Sequence, residues 1–399
     1  MSDFSVRLLR SDEERAAVDL FRRALHVKEM TDEEWTASSV SLQPGRGFGA
    51  FDPELIGTLR SFDSEVTLPG GGTTPLAAAS LVGVRADRTR RGVLTALMRA
   101  QFEDFAARGV PAAMLHASEG AIYGRFGYGV AVRAKSIEID RRRARFRPEA
   151  PAGGEISVLD LESTIEQWPS LFDPLPRTRP GMIARSPNLW PGYEREVRRA
   201  TTPVTTAVHS GADGADGFVT YTVERAHFGA PTLLKVHSFH YAGPDAFAGL
   251  WRYLLSVDLV DSITAEKRPL DEPVELLFTD PRACAVQKVQ DEGWLRLVDV
   301  ETMLAARTYR GEPVVIEVTD PFLEHNSGRY RLSEDGAVRT TGPADLELHA
   351  DTLSMVYLGG WRPSDLAFAG RVRATGETAL ARADQLFGTR SNPWCGTFF

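Results

Sequence analysis

Long apolar runs are missing from this chain, and cysteine nearly so. Two cysteines, Cys284 and Cys395, occur in 399 residues. Two thiols make no disulfide framework, and no CxxC pair offers a zinc site, so no metal and a reducing, cytoplasmic setting are expected. No stretch approaches the ~20 apolar residues of a membrane span, so no membrane insertion is expected. Residues 1–21 show no apolar segment followed by a small-residue cleavage site, and no signal peptide is expected. Basic charge is also short: 46 Lys and Arg stand against 54 Asp and Glu, a net charge of −8. A general nucleic-acid binder needs a basic face, so no nucleic-acid partner is expected. The acidic excess is compatible with a cationic substrate.

What is present is ordinary globular material, 43% hydrophobic and 25% charged. Its 399 residues exceed one core, so two or three domains are expected. Residues 5–9 alternate as a strand. Ser11 and Glu14 read as a capping box ahead of a helix marked by Val18, Leu20, Phe21 and Leu25. Residues 48–67 read as strands, 68–75 as a turn and 76–84 as a returning strand. An apolar stripe at Leu94, Leu97, Met98, Phe102 and Phe105 marks a helix from Val93 to Gly109, followed by a strand at 110–116.

Charged, then Pro- and Gly-rich residues 140–154 suggest a first boundary. Beyond it, 156–165, 193–200 and 245–257 read as helices, and 217–224, 232–240, 263–266 and 274–278 as strands. Strand, strand, turn, helix, strand echoes 76–116 as a faint repeat. A second boundary is expected near 291–294. Residues 313–318, 328–332 and 337–340 suggest an antiparallel sheet, flanked by helices at 352–358 and 379–387. The fold class is α+β, with domains at 1–147, 148–290 and 291–399.

The stretch "LVGVRADRTRRGVLTALM" runs from strand through a basic loop into a helix. First-turn amides lack intrahelical acceptors, Arg90 and Arg91 add charge, and Gly92 allows close backbone approach. Together these make a pyrophosphate seat. On spacing alone a solvated basic loop explains them equally well. The sequence closes on "SNPWCGTFF". On the residues alone, a docked apolar tail is the simpler account.

The arrangement around Gly92 resembles the acyl-CoA core of GCN5-related N-acetyltransferases (GNAT), although Thr89 and Leu94 depart from the usual loop. "HASEGAIYGRFGYG", the "RRG" loop and the terminal "FF" resemble the enhanced intracellular survival (Eis) family. That resemblance implies two tandem acetyltransferase-like domains, the second without a CoA loop, a sterol-carrier-protein-like domain, and a homo-hexamer. It implies acetyl-CoA as co-substrate, with Val82, Gly83 and Val84 on the pantetheine arm, Arg90, Arg91, Gly92, Val93, Leu94 and Thr95 on the pyrophosphate, and Ser118 and Glu119 beside it. Tyr123 matches the family's general acid, and the α-carboxylate of Phe399 its general base. Tyr128 cannot be told from Tyr123 by chemistry alone.

On the substrate side, Trp35 matches a cavity aromatic, His116 and Phe398 adjoin, and Arg125 is structural. Glu29, Asp32, Glu33 and Glu34 are candidate acids for an aminoglycoside-type polycation, although Phe398 stands where some relatives carry an acid. Acetylation of protein lysines or arylalkylamines, and an acyl-CoA- or lipid-binding role with a degraded site, are the alternatives.

Overall fold

A computed structural model describes residues 4–227 and 229–399. Two compact units form. One holds Met1–Val132, Thr178–Gly192 and Glu292–Phe399; the other holds Arg133–Arg177 and Tyr193–Asp291.

The first unit begins with strand β1 (Ser5–Leu8), helices α1 (Glu14–Ala24) and α2 (Asp32–Ser39), then β2 (Gly47–Asp52), β3 (Glu54–Thr67) and β4 (Thr73–Val84), each strand antiparallel to the one before. Helix α3 (Val93–Ala107) crosses to β5 (Ala112–Leu115), which lies parallel to β4. The expected stripe of α3 is real: Val93, Leu97, Met98, Phe102 and Phe105 are buried, packed with Ala77, Ala79, Ala113 and Leu115. The expected capping box is not at Ser11–Glu14. There Glu13 starts α1 without a side-chain cap, and its carboxylate is gripped by Arg7 at 2.7 Å through both oxygens. A capping box forms instead on α2, between Thr31 and Glu34. After α4 (Gly120–Tyr123) the chain enters β6 (Gly129–Asp140).

In the second unit the end of β6 pairs antiparallel with β11 (Ser262–Pro269). Before β11 come β7 (Glu155–Leu159), α5 (Leu161–Phe172), α6 (Trp190–Arg198), β8 (Val204–Gly211), β9 (Gly214–Arg225), β10 (Thr232–Tyr241) and α7 (Pro244–Ser256). The pair β9–β10 is antiparallel, and α7 crosses to a parallel β11, as β3–β4, α3 and β5 do. The faint repeat is therefore a repeat of topology. Two expectations fail here. Residues 156–165 are not one helix: Asp160 accepts the Ser163 N–H at 2.8 Å and so caps a helix that follows a strand. Residues 274–278 form a helical turn, Val274–Leu277, burying Val274 and Leu277 three apart and leaving Leu276 exposed.

Strand β12 (Cys284–Leu297) runs unbroken through 291–294, and Trp294–Leu297 pair with β5 in the first unit. Then follow α8 (Val300–Ala306), β13 (Val314–Thr319), β14 (Gly328–Ser333), β15 (Gly336–Thr340), β16 (Leu346–His349), α9 (Ala350–Tyr357), α10 (Pro363–Phe368), β17 (Val372–Ala374) and α11 (Glu377–Phe387). The expected strands pair antiparallel, and β16 joins β13 in parallel, giving the order β15-β14-β13-β16-β17.

Arg307 lies buried in this C-terminal core without an acidic partner among the described residues. Its guanidinium donates to Tyr357 O and, at 3.2 Å, to Leu386 O, in the last turns of α9 and α11. Helix C-termini carry unsatisfied carbonyls and partial negative charge, so two helix ends serve as its counter-ion. Rings of Tyr309, Tyr357 and Phe387 surround it at 5.5, 5.9 and 5.0 Å. Arg307→Met should lower stability by about 2–5 kcal/mol, because both carbonyls lose a charged donor in a dry core. The urea midpoint measures this, and an unchanged midpoint would show that the helix ends do not need the cation.

Candidate active site

Strand β4 outruns its neighbour. It pairs with β5 only at Leu76, Ala77 and Ala78, although it continues to Val84. Its pairing with β3 slips between Thr58 and Arg60, and opposite that slip Leu81 takes a φ of 52°. Such a bulge turns the strand and frees its edge. The backbone groups of Val82 and Val84 thus border a splay between β4 and β5. Gly83 is pressed on α1, where a Cβ would stand 2.9 Å from the Phe21 backbone.

The loop after β4 sorts its arginines. Arg85 is held by Asp87 at 2.9 Å and Glu54 at 3.3 Å, and Arg88 by Asp52 at 3.3 Å. Arg90 and Arg91 are exposed, with no acidic partner among the described residues. Gly92, at φ 80°, opens α3 and offers no side-chain cap to the first-turn amides, which include those of Val93, Leu94 and Thr95. Two uncommitted guanidinium groups therefore stand at an uncapped helix start, a setting that favours an anion.

Past β5, the motif turn separates the two tyrosines. Tyr123, at the end of α4, is buried, and burial raises its phenol above the ordinary range. A hydrogen bond with Ser118 opposes that rise, and the charge of Glu119 adds to it. Tyr128 is fully buried against Phe102 at 5.9 Å, and its hydroxyl has no partner among the described residues. The two rings meet edge to face at 6.0 Å. Arg125 lies over the Phe126 ring at 4.9 Å.

Beneath this turn Arg296 donates to Asp320 at 2.6 Å, both fully buried. Asp320 also accepts from Asn326 Nδ2 at 2.9 Å and from the Phe322 and Leu323 amides at 3.2 and 3.0 Å. Ser354 of α9 donates to Gly127 O at 3.2 Å.

The chain end comes to His116. The rings of Phe398 and Phe399 lie 4.8 and 4.6 Å from its imidazole. His116 Nδ1 is 2.6 Å from Glu292 O, and Nε2 is 3.2 Å from Thr397 O. A carbonyl only accepts, so both bonds exist together only when both ring nitrogens carry protons. Trp394 is buried, and its backbone N–H donates to Pro180 O at 2.9 Å.

Trp35 sits half-buried on α2 and, among the described residues, makes no ring contact or side-chain hydrogen bond with these groups. The candidate acids near it are largely committed. Glu29 pairs with Arg23 at 3.0 Å, Asp32 with Arg15 at 2.6 Å, and Glu34 belongs to the capping box. Glu33 is exposed with no ion pair among the described residues. Sequence reading missed Arg185 and Glu292, which contact the chain end from a Pro-broken loop and from the middle of β12.

Residues 5–131 and 181–297 match acetyltransferase (GNAT) domains, and 300–396 match a sterol carrier protein domain. The chain is 32% identical to the N-acetyltransferase Eis of Mycobacterium tuberculosis, over 89% of this chain and 87% of that protein. It belongs to the Eis family of N-acetyltransferases. It is also 39% identical to an uncharacterized N-acetyltransferase of Streptomyces coelicolor, over 85% and 84% of the two chains. The crystal structure of Eis1 from Mycobacterium abscessus superposes with a TM-score of 0.91 at 38% identity, covering 99% of this chain and 100% of that one.

The expected order, two tandem GNAT domains and then a sterol-carrier-protein-like domain, is thus met, and the chain is an N-acetyltransferase. GNAT domains imply acetyl-CoA as co-substrate. Among the described residues no side-chain cluster suited to a metal occurs, and no helix is long and apolar enough to cross a membrane.

Within this Eis-family chain the motif glycine Gly127 has a defined demand. It stands at φ 82°, and a Cβ there would fall on Arg296 Nη1. Gly127→Ala meets both backbone strain and a blocked site, and should destabilise by about 2–4 kcal/mol. Thermal unfolding reads the change; a midpoint equal to wild type would contradict this packing.

Proposed function

We propose that this enzyme acetylates amines of aminoglycoside-type polycations, at more than one position where the acceptor carries several, by direct transfer from acetyl-CoA. Tyr123 is the general acid and the Phe399 α-carboxylate the general base. The observation that carries this reading is the return of the last residues to His116, two residues before Ser118 and seven before Tyr123. In the transfer a C–N bond forms and a C–S bond breaks. The acceptor ammonium gives one proton to the carboxylate before attack, the departing sulfur takes one from Tyr123, and the second proton that the nitrogen sheds as the amide forms returns through solvent to restore the Tyr123 phenol.

The splay at Val82, Gly83 and Val84 takes the pantetheine arm, and Arg90, Arg91 and the amides of Gly92, Val93, Leu94 and Thr95 take the pyrophosphate. Their uncommitted charge supports that assignment. Ser118 and Glu119 lie beside the cofactor, and Trp35, His116 and Phe398 on the acceptor side. Domains at 1–147, 148–290 and 291–399 belong to the same reading, as does a cytoplasmic homo-hexamer. The second domain takes no coenzyme A, because the stretch 241–249, which runs from the end of β10 into α7, carries no arginine.

One observation favours a second acceptor class, arylalkylamines or protein lysines. Three of the four acids near Trp35 are already neutralised or used in capping, which leaves little charge for a polycation. Rates across a panel of amines, read by thiol release, decide between them: a faster arylalkylamine or peptide-lysine substrate would displace the aminoglycoside.

Tyr123→Phe should lower kcat by a factor of roughly 10² to 10⁴ without changing acetyl-CoA affinity. Tyr128→Phe should leave the chemical step intact. Because burial raises the Tyr123 phenol, its acid form persists through its ordinary value of ~10, so the alkaline limb of kcat set by this group lies above that pH. A reversed pattern between the two variants would reassign the acid.

Extending the chain beyond Phe399 converts the carboxylate into an amide and displaces the charge. Amine acetylation should fall to background while acetyl-CoA still binds in calorimetry. Full turnover by the extended chain would refute the terminal carboxylate as base.

A further inference from the structure

The contacts around residues 394–397 carry an inference about two side chains far from the motif in sequence. We propose that Arg185 and Glu292 are positioning residues that set the register of the chain end, and so hold the Phe399 carboxylate where the acceptor amine arrives. This rests on the carboxylate-base reading above.

Both side chains are almost wholly buried, Arg185 at 6% exposure and Glu292 at 4%. Arg185 donates from Nε to Thr397 Oγ1 at 3.3 Å and from Nη2 to Gly396 O at 3.1 Å. The Trp190 ring lies 5.2 Å from its guanidinium carbon. Glu292 accepts the Cys395 N–H on Oε2 at 3.2 Å, while its own carbonyl receives His116 Nδ1. Backbone bonds extend the grip: Trp394 donates to Pro180 O at 2.9 Å, and Ile183 donates to Cys395 O at 3.4 Å. Thr397 O is met by His116 Nε2 at 3.2 Å and the Cys395 thiol at 3.1 Å. From Trp394 to Thr397 each residue is thus held through a backbone group.

A docked apolar tail would be built otherwise. Phe398 is 56% exposed and Phe399 packs on the C-terminal core only half-buried, so the apolar burial of this segment comes mainly from Trp394 and Cys395 before them. Buried together with those two side chains is the polar backbone of residues 395–397, held by side chains of opposite charge. Burying charge is costly, and apolar contact alone would hold a tail without it. Apolar contact is non-directional, however, whereas hydrogen bonds fix position and angle. A slip of one residue moves an extended chain by ~3.3 Å, and a general base must sit within about 2.6–3.2 Å of its proton donor. Register is what a terminal carboxylate requires, and these two side chains supply it.

Carboxypeptidase A, which removes C-terminal aromatic residues, reads tail docking independently of acetyl transfer. The full-length wild type, Arg185→Ala and Glu292→Ala are compared for free phenylalanine release, for acetyl-CoA affinity by calorimetry, and for kcat with an amine acceptor. Each alanine variant should release phenylalanine roughly 10- to 100-fold faster and lose kcat by a similar factor, with acetyl-CoA affinity unchanged. Arg185→Lys and Glu292→Gln, which keep a donor and an acceptor, should recover part of both, and they carry the test if the alanine variants do not fold.

Release at the wild-type rate in every folded variant overturns the proposal, whatever happens to kcat, and leaves the carboxylate-base reading standing. Faster release with unchanged kcat overturns the positioning role together with the base reading. A parallel loss in both measurements supports the two together.

Discussion

Strand β5 is the constraint on which the first unit depends. Its four residues are buried, and both of its edges are paired, with β4 on one side and β12 on the other. Its side chains alternate between two cores. Ala113 and Leu115 pack with the α3 stripe, whereas Ala112 and Met114 pack with Leu295, Leu297 and the C-terminal core. A strand shared in this way cannot shift register without exposing both sets at once. His116 and Ser118 follow it directly, so the motif inherits a position fixed from two sides.

Two buried guanidinium groups stabilise the surrounding structure by different means. Arg296 has a carboxylate partner, and Asp320 is in turn saturated by Asn326 and two backbone amides, so the charge beneath the motif turn is matched and oriented. Arg307 has no carboxylate and borrows the ends of α9 and α11. The first ties β12, beneath the motif turn, to the loop after β13; the second ties the last helix of the C-terminal core to the segment after α8. The chain end leaves from that last helix, so its starting point is held before the tail begins.

Much of this was legible in sequence, wherever one short-range pattern decides the outcome. The α3 stripe, the hairpin before it and the basic loop each read correctly, because a 3.6-residue period or a Gly-rich turn has few alternatives. Residues 274–278 misled, since Val274, Leu276 and Phe278 alternate as a strand would, yet Leu276 is exposed while Leu277 is buried with Val274 and Phe278. Asp160 inside an apolar stretch was the missed sign that a strand ends and a helix starts. Tyr123 and Tyr128 share their chemistry and differ only in what surrounds them, which no local pattern encodes. Arg185 and Glu292 were invisible for a stronger reason: their partners are backbone groups 211 and 103 residues away.

On the proposed mechanism, a terminal carboxylate explains why the third domain is part of the enzyme. A side-chain base is placed by its own strand or helix and adjusted by rotamers. A terminal carboxylate has neither, and its position is the sum of every preceding backbone angle back to the last anchored residue. The path from α11 to Phe399 must therefore be short and pinned. Phe387 is buried in the C-terminal core, Trp394 is bonded to Pro180, and Gly396 turns the chain at φ 69°. A C-terminal domain packed on β5 makes that path short enough to end beside His116. Its contribution to the chemistry is then geometric: it carries the chain end home, and needs no ligand of its own to do so.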